Sequence, residues 1–233
     1  LNYKIDIIPV LKNKKVIDEI SWADIFINET NNRIKDVSTI ILAGGKGERM
    51  QPFTKVLPKP LLPIRDKTVI DIILEKFSSI GIKTFTVMIN YKGNLIRGYL
   101  SSQKKYKIEY YTEKFPLGTA GSLSILNKKK LSEDFFVSNC DIVIQGDLNK
   151  ILEFHKKNKN IITLVVCHYM TQLPYGSCIT NKKGKLLDIN EKPNINHLIN
   201  TGLYILNKKA LTVLKKNRHE DFNNFLKKCI KRK

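Results

Sequence analysis

From residue 39 onward, short apolar runs alternate with stretches in which apolar residues recur every three or four positions. The runs predict strands over 39–42, 84–89, 107–111, 135–137, 162–168 and 203–206. The longer-period stretches predict helices over 68–80, 94–101, 119–126, 148–157, 208–216 and 222–228. Gly81 follows the first of them, in the position that closes many helices. Strand–helix alternation of this kind builds an α/β fold, a mostly parallel sheet with helices on both faces. Residues 179–190 depart from it and read as a hairpin turning at 181–184. Ligands in such sheets sit beyond the C-terminal ends of strands, so the residues after 42 and 137 carry most of the functional information.

Ahead of residue 36 the pattern changes. Residues 7–26 predict a strand, a turn at 12–15, a second strand and a short helix capped by Ser21, a small ββα appendage. Residues 28–37 are polar and read as a linker. The chain divides accordingly into an N-terminal piece, 1–36, and a larger domain, 37–233.

Composition narrows the classes. The chain has 233 residues and 42% hydrophobic content, enough for a substantial core. No apolar run is long enough to span a membrane. It starts at Leu1 without a signal-peptide layout, which suggests a segment of a longer protein. Cys140, Cys167, Cys178 and Cys229 form no Cys-x-x-Cys pair, and His155, His168, His197 and His219 no metal-spaced pair. A zinc site is not expected, and a reducing cytoplasm is. The net charge of +20 invites a nucleic-acid reading. Only six of the 41 cations are arginine, the lysines are scattered, and no basic-aromatic platform is evident. A solvated lysine surface that steers anions inward accounts for the charge better.

The richest stretch is 42–63, where the first strand feeds a loop carrying Gly44, Gly45 and Gly47 and then the cations Arg49 and Lys59. Glycines let backbone N–H groups approach phosphate oxygens closely, and the cations stand where phosphate charge must be neutralised. Two familiar phosphate loops are excluded. No Gly-x-x-x-x-Gly-Lys-Ser/Thr string occurs, and the third glycine of Gly-x-Gly-x-x-Gly is replaced by Met50. Pro52, Pro58, Pro60 and Pro63 forbid a regular helix until about Thr68, so a long, stiffened, extended loop is expected to wrap a nucleotide.

This string, Ala-Gly-Gly-Lys-Gly-Glu-Arg-Met over 43–50 and Pro-Lys-Pro-Leu-Leu-Pro-Ile over 58–64, resembles the signature of sugar-1-phosphate nucleotidyltransferases. The likeness continues in order through Pro-Leu-Gly-Thr-Ala-Gly-Ser at 116–122, Ser-Asn-Cys-Asp at 138–141, Pro-Tyr-Gly at 174–176, Glu-Lys-Pro at 191–193 and Asn-Thr-Gly-Leu-Tyr at 200–204. It implies a Rossmann-like fold of the nucleotide-diphospho-sugar transferase type. The N-terminal piece resembles the C-terminal half of a CBS module, which binds adenine nucleotides in pairs. That combination is similar to a bacterial subgroup serving surface-glycan and nonulosonic-acid synthesis, for which glucosamine-1-phosphate is the sugar to test first.

Such an enzyme joins a sugar-1-phosphate to the α-phosphorus of a nucleoside triphosphate and expels pyrophosphate. The phosphate nucleophile is already anionic, so no general base is needed. The task is to bring two polyanions together and stabilise five-coordinate phosphorus. The resemblance implies that Leu42, Ala43, Gly44, Gly45, Gly47, Gly118 and Thr119 line the nucleotide. It places Arg49 at the departing β- and γ-phosphates, and Lys59 between the α-phosphate and the attacking phosphate. It assigns Asp141 to Mg²⁺, although Cys140 stands where the family has glycine. Gly176, Glu191, Lys192 and Asn200 would hold the sugar phosphate. The family's second metal-binding aspartate, in a Trp/Tyr-x-x-Asp-x-Gly setting, has no counterpart before Lys233, so the domain is expected to be truncated at its C-terminus.

Glu113 bears on the base. Guanine presents two donors, N1–H and N2–H₂, that one carboxylate can accept, whereas uracil and thymine offer one donor between acceptors. GTP is therefore the favoured substrate. A uridylyl- or thymidylyltransferase of the same fold remains an alternative, as does a catalytically silent nucleotide-sensing subunit. The silent form would lose Arg49, Lys59 or Asp141, and all three are present. The partners expected are a nucleoside triphosphate and a sugar-1-phosphate, with neither membrane nor nucleic acid; self-association stays open.

Overall fold

The computed structural model describes residues 37–231, Ile34, and the backbone of 7–12 and 15–21. Strands β1 (Ile7–Lys12) and β2 (Lys15–Ser21) pair antiparallel, with Lys12 opposite Lys15, and these are the two strands expected there. The helix anticipated after Ser21 and most of the linker lie outside the described residues, and a two-stranded hairpin does not establish a CBS-type module.

The domain contains β3 (Thr39–Leu42), the short antiparallel pair β4 (Pro63–Ile64) and β5 (Lys67–Thr68), then β6 (Thr84–Ile89), β7 (Lys107–Thr112) and β8 (Asp134–Asn139). There follow β9 (Ile162–Gln172), the hairpin β10 (Ser177–Thr180) and β11 (Leu186–Asn190), and β12 (Asn194–Asn207). Six strands form one sheet in the order β7-β6-β3-β8-β12-β9. The first four are mutually parallel, and β12 runs antiparallel to both β8 and β9. This is the mostly parallel sheet anticipated from the alternation.

β3 is buried along its whole length, which makes it a central strand covered on both faces. Its alternation splits the core. Ile41 and Ala43 face a cluster with Phe77, Phe85, Phe136, Ile96 and Leu152, while Ile40 and Leu42 face another with Leu123, Tyr204, Phe222 and Phe225. The Val69–Ser79 helix begins with a reciprocal Thr68–Asp71 capping box and buries Val69, Ile70, Ile73, Leu74 and Phe77, the spacing of one helical face. Phe77 meets Phe136 edge-on at 5.3 Å.

Several elements differ from the sequence expectation. The helix predicted over 119–126 is a single α-helical turn, Gly118–Gly121, followed by a 3₁₀ turn, Ser122–Ile125. The one over 208–216 is only a 3₁₀ helix, Lys208–Val213: it buries just Ala210 and Leu211, and so short a segment tightens readily. The stretch after Met50 is folded rather than extended. It contains a four-residue helix, Phe53–Val56, and a 3₁₀ turn, Lys59–Leu61, before the regular helix at Val69. β9 and β12 both outrun their predicted bounds, and their far ends form an exposed arm with β10 and β11. A register break between Asn200 and Tyr204 separates that arm from the buried part of β12.

Candidate active site

The glycine loop leaves the C-terminal end of β3. The Ala43 N–H donates to the Met88 carbonyl at 2.9 Å, prolonging the pairing with β6, and Ala43 itself is buried beneath the loop. Gly47 adopts φ 66° and ψ 35°, a left-handed conformation that disfavours side chains. A Cβ there would also stand 2.9 Å from the Thr54 methyl. Thr54 is 1% exposed and donates its hydroxyl to the Gly47 carbonyl at 3.0 Å. This buried threonine, which motif reasoning passed over, folds the loop back. Arg49 sits on the following 3₁₀ turn and is exposed.

Lys59 projects between Pro58 and Pro60, both buried, so its backbone is anchored while its side chain stays 21% exposed. It donates to Asp141, which follows β8 and is 30% exposed in its side chain. The two thus neutralise each other at the cleft floor. The neighbouring Cys140 thiol is buried, and burial pushes its pKa up to about 12, leaving it protonated and unreactive at neutral pH. Among the described residues, no group of three or more His, Cys, Asp or Glu could cage a metal. Asp141 offers hard carboxylate oxygens of the kind that a Mg²⁺ would take, held at present by the Lys59 ammonium.

Glu113 follows β7 and is 9% exposed. Its Oε2 accepts from the Leu117 N–H at 3.0 Å, and its Oε1 lies toward Gly44. Burial pushes its carboxyl pKa up, opposed by the Leu117 hydrogen bond and the charge of His219. The next wall comes from the far end of the chain. The Glu220 carbonyl accepts from the N–H groups of Ala120 and Gly121 at 3.0 and 2.9 Å, and Phe222 N–H donates to the Thr119 hydroxyl at 2.9 Å. Gly118, at φ 74°, leaves no room for a side chain: a Cβ would be 2.7 Å from the Glu220 carbonyl oxygen. This docking brings His219 and Asp221 to the rim.

Leu42, Gly44, Gly45, Gly47, Arg49, Lys59, Glu113, Gly118, Thr119 and Asp141 all line one cleft of about 720 Å³. Asn90, Ser122, Asn139, His219 and Asp221 also line it and were not anticipated. Asn90 and Asn139 stand at C-terminal ends of strands, a signal the sequence carried; His219 and Asp221 had no local one. The four residues assigned to the sugar phosphate are elsewhere. Gly176 and Glu191 meet in the arm, where a Cβ on Gly176 would be 3.0 Å from the Glu191 carboxylate, and Lys192 follows at φ 45°. Asn200 is engaged in the β12 irregularity, accepting from the Gly202 N–H at 2.9 Å and donating to the Tyr204 hydroxyl at 2.8 Å. The arm's base nevertheless abuts the cleft, since Gly202 packs directly on the side chain of Asn139. His155 belongs to the core, hydrogen-bonded to Thr163 at 2.8 Å and near Asp134 at 3.3 Å.

Comparison with known proteins places this geometry. The family model described as nucleotidyl transferase matches residues 38–233. A mannose-1-phosphate guanylyltransferase 1 of Arabidopsis thaliana is 32% identical over 184 residues, covering 75% of this chain and 51% of the relative. The catalytic subunit beta of the Dictyostelium discoideum mannose-1-phosphate guanylyltransferase is 34% identical over 181 residues, 73% of this chain and 50% of the relative. The chain thus spans about half the length of the curated relatives it matches. Among solved structures, HddC of Yersinia pseudotuberculosis complexed with GMP-PN superposes with a TM-score of 0.63 at 21% identity, covering 84% of this chain and 100% of that one. A UDP-glucose pyrophosphorylase complexed with UDP-glucose gives 0.59 at 20% identity, covering 84% and 88%. These likenesses establish the fold. Among the described residues, no helix is long and apolar enough to cross a membrane.

Proposed function

The chain belongs to the nucleotidyl transferase family, and on that premise we propose that it transfers a nucleoside monophosphate from a nucleoside triphosphate, GTP in preference, to a hexose-1-phosphate with release of pyrophosphate. The observation that carries this reading is the convergence of the glycine loop, Arg49, Lys59, Asp141 and Glu113 on one cleft. The loop's N–H groups and Arg49 bind the triphosphate, and Arg49 takes up charge as pyrophosphate departs. Lys59, freed from Asp141 when phosphates enter, neutralises the attacking and α-phosphates at their approach. Asp141 would hold Mg²⁺ jointly with phosphate oxygens, the ion supplying further charge neutralisation when bound.

The preference for GTP rests on Glu113, whose buried carboxylate in the cleft wall can accept from the two donors on the guanine edge. Relatives named mannose-1-phosphate guanylyltransferase support it. They also make mannose-1-phosphate the first acceptor to test, ahead of glucosamine-1-phosphate. The test measures pyrophosphate release with GTP, UTP, dTTP, CTP and ATP against both acceptors. GTP should lead by about tenfold or more in kcat/KM, as one good bidentate base contact affords; a preference for UTP or dTTP would sink the base assignment. Asp141→Asn should abolish Mg²⁺-dependent turnover while circular dichroism stays unchanged, and retained activity would remove Asp141 from the metal site.

A further inference from the structure

Outside the cleft, the turn after β6 clasps the proline-rich segment that carries the two phosphate-facing cations. Lys92 sits there at φ 50° and ψ 31°, a left-handed conformation uncommon for lysine. Its ammonium donates to the Val56 carbonyl at 2.8 Å and to the Lys55 carbonyl. Those groups end the Phe53–Val56 helix, and the last carbonyls of a helix have no acceptor role inside it. The adjoining Tyr91 donates its hydroxyl to the Thr54 carbonyl at 3.3 Å, while its N–H reaches the Gly44 carbonyl at 3.4 Å. Two consecutive residues thereby take three successive carbonyls of the short helix and one of the glycine loop. Thr54 passes the restraint on, because its hydroxyl holds Gly47 and its methyl fills the space beneath it.

We propose that Lys92 is a positioning residue for the transfer reaction: by gripping the end of the Phe53–Val56 helix it fixes Thr54 under Gly47 and sets the reach of Arg49 and Lys59 into the cleft. Lys92 itself does not line the cleft, so its effect passes through these neighbours. The kinetic part rests on the nucleotidyl-transfer reading; the mechanical part does not. The expected signature is a loss in turnover with little change in nucleotide affinity, since the base-facing wall around Glu113 and Gly118 is held by other contacts.

The test compares Lys92→Met and Lys92→Arg in the ligand-free chain and in turnover. Hydrogen exchange over residues 47–57 should quicken about tenfold in K92M, and kcat should fall about tenfold with KM for the nucleoside triphosphate within threefold of wild type, the scale of losing one to two hydrogen bonds from a charged donor. K92R, which keeps a cation and its donors, should restore both to within threefold. Unchanged exchange in K92M, unchanged kcat despite faster exchange, or equal damage in K92R overturns the proposal. If the wild-type chain turns over none of the triphosphates, the functional reading fails, and the exchange comparison alone decides whether Lys92 holds the loop.

Discussion

Replacing Gly118 with alanine tests how the cleft's two walls are joined. At φ 74° an alanine loses about 1–2 kcal/mol to left-handed strain. Its Cβ would meet the Glu220 carbonyl oxygen at 2.7 Å and the Asp221 Oδ1 at 3.0 Å. The first is backbone, held by hydrogen bonds to Ala120 and Gly121, and cannot swing aside as a side chain could. Forcing such a contact typically costs about 1–3 kcal/mol more. The loss should total about 2–5 kcal/mol, against a whole-domain stability of about 5–15 kcal/mol, and lower the melting midpoint by roughly 4–20 °C. Gly45→Ala is the control. An added Cβ there has nothing within 4 Å, and its φ is not in the left-handed range, so its stability should stay within about 0.5 kcal/mol of wild type. Urea unfolding followed by fluorescence, with m-values compared, measures both. Equal midpoints for the two variants would refute the account of Gly118.

Two further outcomes follow from buried titratable groups. Glu113 has its pKa raised in the folded chain by burial, so the fold is favoured while the carboxyl is protonated and loses stability as pH rises from the unfolded value through the folded one. Glu113→Gln should therefore melt higher than wild type at pH 7.5, with the gap closing toward pH 4, and should weaken GTP relative to UTP; a gap independent of pH would contradict the burial argument. His155 has its pKa lowered, burial outweighing the attraction of Asp134, so the stability of the neutral ring is present above its ordinary value and lost as pH falls through the lowered one. Wild type should lose stability between pH 7.5 and 5.5, and His155→Gln should lose less over the same range; parallel pH curves would rule His155 out as the cause.

The glycine-loop side of the cleft was legible because its residues fall in short local strings. Gly44, Gly45, Gly47, Arg49, Lys59 and Asp141 sit within such strings and share the cleft. The positions of β3, β6, β7 and β8 were legible for a similar reason, since each is a short apolar run. What escaped depends on contacts distant in sequence. The Gly118–Gly121 turn is held from outside, its Ala120 and Gly121 N–H groups donating to the Glu220 carbonyl. β12 looked like a four-residue strand because Asn200 and Gly202 interrupt its pattern, although backbone pairing with β9 resumes beyond them. Thr54 has no signature at all: its value lies in being buried under Gly47.

The bond from Phe222 to Thr119 spans 103 residues, and this bears on how the chain matures. Domains emerge from the ribosome N-terminus first, and contacts between remote segments close late. β3, β6, β7 and β8 and the segments that carry Arg49, Lys59 and Asp141 all precede Glu220 in the chain, so one side of the cleft stays open until that residue is made. Only when Glu220 arrives does the Gly118 turn gain its cover, and with it the rim that His219 and Asp221 supply. A ligand that needs both walls of the cleft can therefore bind only after Glu220 has joined the fold.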